Sequence, residues 1–421
     1  MTQATEKKIS IFSLPVIVAA LGYFVDIYDL LLFTIVREPS LEGLNVLLTD
    51  KHAVMTASTQ VINWQMWGML IGGILWGVLG DKKGRLSVLF GSILIYSTAN
   101  FLTGYVQTVE QYAYARFAAG IGLAGELGAG ITLVSELLPR KKRGIGTSLV
   151  AGFGLFGAVA AYFTFHYTED WRLCYKIGGA LGLSLLLLRI TVAESGMFQQ
   201  LKSQQVQRGN ILMFFTNRKR FRKYVLAILV GLPTWFVIGI LVNLSNRFAH
   251  ELYGPNQIIS GRAIMYAYAA IAVGDILIGF ISQWFKSRKK ALYLFYLFAL
   301  ISFGFYFGGG VRNDATMYLA CAMLGFSTGF WAIFVTMGAE QFGTNLRATA
   351  ATTIPNMVRG SLPLMNLLFV NLFQKSWHLS LVESAIWTGL IVMGITFIGV
   401  YFSEETFDKD LNYLEVEETL P

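Results

Sequence analysis

The chain has 421 residues, of which 55% are hydrophobic and only 14% charged, with a formal net charge of +8. So little charge cannot cover the surface of a soluble domain of this size, which excludes the ordinary soluble enzyme and binding-module classes and leaves a membrane protein of many spans. The basic excess invites a nucleic-acid reading, which its placement along the chain argues against.

A helix crossing the hydrocarbon layer needs ~20 residues, and apolar runs of that order recur near 11–36, 58–80, 86–106, 111–138, 144–168, 172–192, 224–246, 261–285, 290–311, 315–338, 348–373 and 380–403. Twelve membrane helices are therefore expected. The leading MTQATEKKIS shows no small-residue cleavage site, and the run after it is long enough to span, so the first helix is expected to be retained. That helix carries GYFVDIYDLLLF (22–33), in which Asp26 and Asp29 sit one turn apart near mid-membrane. The second adds Asn63, Gln65 and Trp67, and the fourth carries Arg116 in its outer part and Glu126 halfway along. The glycine run IGLAGELGAG (121–130) in that helix follows no strand and lies in hydrocarbon, so it reads as a close-packing seam and not as a phosphate loop.

Further along, the polar and basic stretch 195–222 is the one long internal connection, and so the expected linker between a six-helix bundle at 1–194 and another at 223–403. The second bundle contributes Trp235, Asp275 in the eighth helix, and Asn356 and Arg359 in the eleventh, before an acidic tail at 404–421. Cys174 and Cys321 fall in different helices with no metal or disulfide spacing, so packing is their expected role. No nucleophile, metal or cofactor constellation stands out, and an enzyme is not expected.

Lys82, Lys83 and Arg85, then Arg140 to Arg143, then Arg218 to Lys223, then Lys286 to Lys290 mark every second helix boundary, while the alternate loops are short and nearly free of Lys and Arg. Because basic residues near helix ends resist translocation, this pattern places both termini in the cytoplasm. Nucleic-acid binding predicts no such alternation.

A charged side chain at mid-helix costs ~2.5–3.5 kcal/mol on the insertion scale, so buried charge points to function. Asp26, Asp29, Glu126, Asp275 and Arg359 all fall near the middle of their helices, and together they are expected to line one aqueous cavity between the halves. A carboxylate beside another in a low dielectric resists ionisation, which suits one of Asp26, Asp29 and Glu126 to carrying a proton. Arg359 cannot deprotonate, and its planar fork suits a carboxylate or phosphate, so it is the expected substrate anchor. Asp275, Tyr23, Tyr28, Asn63, Gln65, Trp67, Trp235 and Asn356 are candidates for the remaining substrate contacts.

The halves echo each other. Glu136 precedes Arg143 by seven residues in SELLPRKKRGIGTS, and Glu340 precedes Arg347 by seven in AEQFGTNLRATAAT, an offset of 204. A weaker echo pairs GVLGDKKGRLSVLF (77–90) with GFISQWFKSRKKALYLF (279–295). Parallel repeats of this kind suit two bundles rocking about a central site.

Gly77-Val78-Leu79-Gly80-Asp81-Lys82-Lys83-Gly84-Arg85 resembles the loop signature of the major facilitator superfamily, and the resemblance extends over essentially the whole chain. Arg116-Phe117-Ala118-Ala119-Gly120, Ser135-Glu136 through Arg143-Gly144, Trp171-Arg172 and Glu194-Ser195 are similar to further family elements. Asp26-Ile27-Tyr28-Asp29 and Gly125-Glu126 resemble elements of its metabolite:proton symporters, and the first of these also resembles phosphate:proton symporters.

The resemblance implies the major facilitator fold: an all-α membrane protein of twelve helices in two pseudo-symmetric bundles. It further implies gating roles for Asp81, Arg85, Glu136, Arg143, Glu340 and Arg347, and a coupling role for Arg116. Family antiporters often carry a Gly-Pro element in the fifth helix, whereas AGFGLFGAVAAYF lacks that proline, so import is favoured. The expected function is proton-coupled symport of a small anionic or zwitterionic metabolite across the inner membrane, with protons as coupling ion, no cofactor or metal, and a monomer in the bilayer. An efflux antiporter and a non-transporting metabolite sensor are the alternatives.

Overall fold

A computed structural model describes residues 10–189 and 209–415. The segment 1–9, Glu194 and Ser195, linker positions 195–208 and the tail beyond 415 lie outside the described residues. The described chain is helical, and each expected span has its helix. These are α1 (Leu14–Glu42), α2 (Lys51–Lys83), α3 (Arg85–Thr103) and α4 (Val109–Leu137), then α5 (Lys142–Thr168) and α6 (Trp171–Arg189). The second half repeats the pattern with α7 (Arg218–Val242), α8 (Ser260–Phe285), α9 (Arg288–Phe307), α10 (Asp314–Glu340), α11 (Arg347–Gly360) and α12 (Leu381–Phe402). All but α11 are long and apolar enough to cross a bilayer; α11 attains that length by continuing through Leu362–Asn366 and the π-helical Leu367–Ser376.

Local chemistry explains the ends. Thr108 accepts a hydrogen bond from the Gln111 amide at the start of α4, Ser287 accepts from Lys290 at α9, and capping boxes at Asn313/Thr316 and Ser380/Glu383 open α10 and α12. Proline explains the interruptions, since it removes a backbone donor and crowds the preceding turn. Pro39 follows a non-helical Val36 in α1, and Pro233 precedes a π-helical turn at Val237–Val242. Two spans break without proline: α5 at Phe156, and α10 over residues 328–330, between Asp314–Ser327 and Trp331–Glu340. α7 begins five residues before the expected linker boundary, because Asn217 caps it through the amides of Lys219 and Arg220.

The halves meet along α2 with α11, α5 with α8, and α4 with α10 and α11. At Gly77 of α2 an added Cβ would stand 3.0 Å from the Thr349 Cα, so only glycine admits α11 this closely. Gly84, with φ of 106°, makes the abrupt turn that starts α3 directly below the end of α2. An even number of spans returns both ends of the described chain to one face, called here the terminal face.

Candidate functional site

Two assemblies occupy the boundary between the halves, and the first closes the terminal face. Asp81 at the end of α2 accepts hydrogen bonds from the amides of Ala348 and Thr349 at 3.0 and 2.9 Å and from the Thr349 hydroxyl at 2.7 Å, capping α11 across the boundary. Arg85, fully buried, donates to Glu136 at 2.8 Å and to the carbonyls of Gly80 and Thr344. Glu136 also receives Arg347 at 3.0 Å. In the mirrored position Glu340 holds Arg288 at 3.2 Å, with Arg143 at 3.9 Å. Six expected gating residues thus converge, and Arg288 joins them.

The tail strengthens this closure. Arg347 donates to the Leu411 carbonyl, Thr406 donates to Glu340 at 2.7 Å, and the Thr344 amide donates to Tyr413 at 2.9 Å. Glu405 caps α9 through Ser287 and the amides of Arg288 and Lys289. The tail therefore packs under this charged cluster as part of it.

The second assembly is a cavity at mid-membrane. Tyr23 of α1, Thr234 and Trp235 of α7, Tyr268 of α8, Trp331 of α10 and Arg359 of α11 line it, leaving about 20 Å³ for the centre of a water-sized sphere. That is room for about one water. Arg359 donates to Asn356 Oδ1 at 3.0 Å and lies 5.7 Å from the centre of the Trp331 ring. Its Nε and the Thr234 hydroxyl have no hydrogen-bond partner among the described residues, and none of the ion pairs there takes up its guanidinium. The guanidinium is thus buried beside aromatic rings with no direct ion pair among the described residues.

The expectation that four acids share this cavity needs correction. At 100° per residue Tyr23, Ile27 and Leu30 form the cavity stripe of α1, which turns Asp26 ~60° and Asp29 ~120° away from it. Both acids are fully buried within the bundle. Asp29 has Arg116 and Asn100 as polar neighbours, while Arg116 donates to the Asp29 carbonyl at 2.9 Å, to Asn100 at 2.6 Å and to Gln65 at 3.3 Å. Gln65 in turn donates to the Leu30 carbonyl, so it belongs to this network and not to the cavity.

Glu126 follows Ala124, whose carbonyl accepts from Asn356 of α11; two residues on, it points ~200° away and meets Ser92 of α3 at 3.4 Å. Asp275 accepts from the Ala332 amide at 3.0 Å and faces the backbone of α10. Tyr28 donates to the Cys174 carbonyl at 3.0 Å, inside the first bundle. Asn63 and Trp67 line a different hollow, an open cleft of about 540 Å³ on the outer half of α2, facing away from α1 and shared with Trp64 and Phe117. Of the expected substrate residues, Tyr23, Trp235 and Arg359 line the cavity, with Asn356 directly behind.

Sequence reasoning passed over Tyr268, Trp331, Thr234 and Arg288. The echo of 77–90 in 279–295 already set Arg288 opposite Arg85 at an offset of 203, so its signal was present. Tyr268 lies two turns before Asp275, and Trp331 directly follows a helix break that composition does not reveal.

Residues 8–365 match the family described as Major Facilitator Superfamily. A putative metabolite transport protein of Haemophilus influenzae is 28% identical over 353 residues, covering 81% of this chain and 84% of its own. The putative niacin/nicotinamide transporter NiaP of Bacillus subtilis is 23% identical over 349 residues, covering 80% and 82%. Among solved structures, the proton:xylose symporter XylE superposes with a TM-score of 0.74 at 17% identity, covering 96% of this chain and 98% of that one. FucP in its outward conformation gives 0.73 at 13% identity, with 93% and 99% covered.

Proposed function

The chain belongs to the major facilitator superfamily, a family of multi-pass transporters, and from that premise we propose that it imports a small organic anion together with a proton across the plasma membrane. The observation that carries this reading is Arg359: a buried guanidinium with no ion pair among the described residues, set between aromatic rings at the seam of the two halves. A planar carboxylate ligand fits it best, its carboxylate on the guanidinium fork and its ring between Tyr23, Tyr268, Trp235 and Trp331. The names of two relatives support a small ring-bearing substrate: NiaP is named for niacin, an aromatic carboxylate, and for nicotinamide, and a Cupriavidus pinatubonensis relative for 4-methylmuconolactone.

The proton site in this reading is Asp29, buried beside Arg116 inside the first bundle and separate from the anion cavity. In this reading the terminal face, with its gate and tail, is cytoplasmic, which the basic clusters at every second helix boundary support. A cavity holding about one water cannot admit a metabolite, so loading requires the halves to part on the outer side while the gate stays shut, and release requires the reverse. Two bundles meeting along glycine-lined seams can rock in this way.

The test is uptake of labelled nicotinate into proteoliposomes. Accumulation driven by an inward proton gradient and abolished by Arg359→Ala is the expected result. Gradient-driven depletion would instead establish efflux, and saturable binding without flux would establish a sensor.

A further inference from the structure

α10 is two helices joined end to end at mid-membrane, and the start of the second one is where the cavity wall begins. Asp314–Ser327 ends in a turn at Thr328, Gly329 and Phe330, and Trp331–Glu340 resumes. A helix starting in the middle of a membrane leaves amide groups that water cannot satisfy. Here the acceptor comes from another helix. Asp275 of α8, fully buried, accepts from the Ala332 amide at 3.0 Å, and the Trp331 amide also faces its carboxylate. Such a carboxylate both satisfies donors and opposes the positive end of the helix dipole.

The approach depends on two glycines. An added Cβ at Gly274 would stand 3.0 Å from the Gly329 Cα, and one at Gly329 would stand 2.6 Å from the Gly274 Cα. The backbones of α8 and α10 cross in contact at this point, one residue before Asp275 and two residues before Trp331, so the carboxylate is delivered to the helix start by the crossing itself.

The first residue of the capped helix is the one that meets Arg359. We propose that Asp275 is a positioning residue for the anion site: by capping the second half of α10 across the helix crossing, it holds the Trp331 ring beside the Arg359 guanidinium. The assignment rests on the anion reading given above for what the site binds, but the contact between Asp275 and α10 does not. A Trp331 ring free to swing would leave the guanidinium unwalled on that side and lower its preference for a planar anion, without touching the gate or the Asp29 network. Asp275 therefore governs affinity, and the rate of conformational cycling is left to other residues.

The test compares Asp275→Leu and Asp275→Asn in the full-length protein. Asparagine retains an acceptor for the Ala332 amide; leucine keeps the branched outline, with more bulk, and offers none. Hydrogen exchange over 326–336, which requires no ligand, is expected to quicken about tenfold or more in the leucine variant and to change little in the asparagine variant. In proteoliposomes the half-saturating nicotinate concentration is expected to rise about tenfold for leucine, with maximal rate within about twofold, and asparagine is expected to restore most of the affinity. Unchanged exchange in Asp275→Leu overturns the proposal, as does altered exchange with unaltered affinity, or a loss confined to maximal rate. A parent protein that ignores nicotinate defeats the proposed substrate class instead, and the exchange measurement then still decides whether Asp275 holds the start of the helix.

Discussion

Glu136 of α4 accepts from Arg347 of α11 at 3.0 Å across the boundary between the halves, and Glu340 and Arg143 face each other at 3.9 Å in the mirrored position. The first carboxylate does more, because Arg85 lies on the same oxygen at 2.8 Å. Two fully buried guanidiniums thus share one Glu136 oxygen, with Asp81 a further 3.6 Å neighbour of Arg85.

Replacing Glu136 by Gln leaves those two cations adjacent and without their shared charge. Breaking a buried pair costs about 3–5 kcal/mol, and the loss falls on the conformer that is closed at the terminal face. A cysteine at Thr353, one turn above the gate, in a background lacking Cys174 and Cys321, is expected to react with a water-soluble maleimide at least tenfold faster in Glu136→Gln. Equal labelling rates would show that Asp81 and the tail hold the gate without it.

The tail makes a prediction in pH. Burial alone would raise the Glu405 carboxyl, but hydrogen bonds from the Ser287 hydroxyl and the Arg288, Phe407 and Lys289 amides outweigh it and hold the group below its usual 4.5. A carboxyl depressed in the folded state contributes stability above its unfolded value and loses it as pH falls through the folded one. Docking of the tail should therefore be intact at pH 6 and weaken below about 4.5, read as faster hydrogen exchange over 404–415. Glu405→Gln should remove most of that pH dependence; if it persists unchanged, another group titrates.

How much of this was readable beforehand follows from what each feature depends on. The spans and the gate depend on local signals: apolar runs of bilayer length, and a Glu-to-Arg spacing of seven repeated 204 residues later. Burial was legible too, since Asp29, Asp275 and Arg359 all lie inside the protein. Direction was not. Which way a mid-helix carboxylate points depends on helix rotation within the bundle, and rotation is set by contacts such as Gly274 on Gly329 or Gly77 on Thr349, which join residues far apart in the chain. Asp29 was therefore expected on the wrong face of α1, whereas Asp275 shares the α8 stripe of Tyr268 and Ile271 one turn further along, where its carboxylate is taken up by the backbone of α10. The break in α10, the source of Trp331, carries no proline to announce it.

Asp29 is where proton coupling should fail. Asp29→Asn keeps the shape of the side chain, leaves the Asp29 carbonyl available to Arg116, and removes the titrating group. Nicotinate accumulation driven by a proton gradient is expected to fall more than tenfold, while exchange of internal for external nicotinate at equal pH continues. If Asp26→Asn uncouples transport and Asp29→Asn does not, the proton site lies one turn earlier on α1.

Arg359→Lys is the sharpest probe of the cavity because it conserves charge. Lysine offers a point ammonium in place of the planar fork, cannot donate two parallel bonds to a carboxylate, and stacks less well on Trp331. If the anion is held as a planar carboxylate, the affinity for nicotinate should drop about tenfold to a hundredfold, equivalent to about 1.4–2.8 kcal/mol. Arg359→Ala should lose more, since no cation remains. Proton-driven uptake in Arg359→Lys at parental affinity would mean that any positive charge suffices at this position, and that the ring walls, not the guanidinium fork, select the substrate.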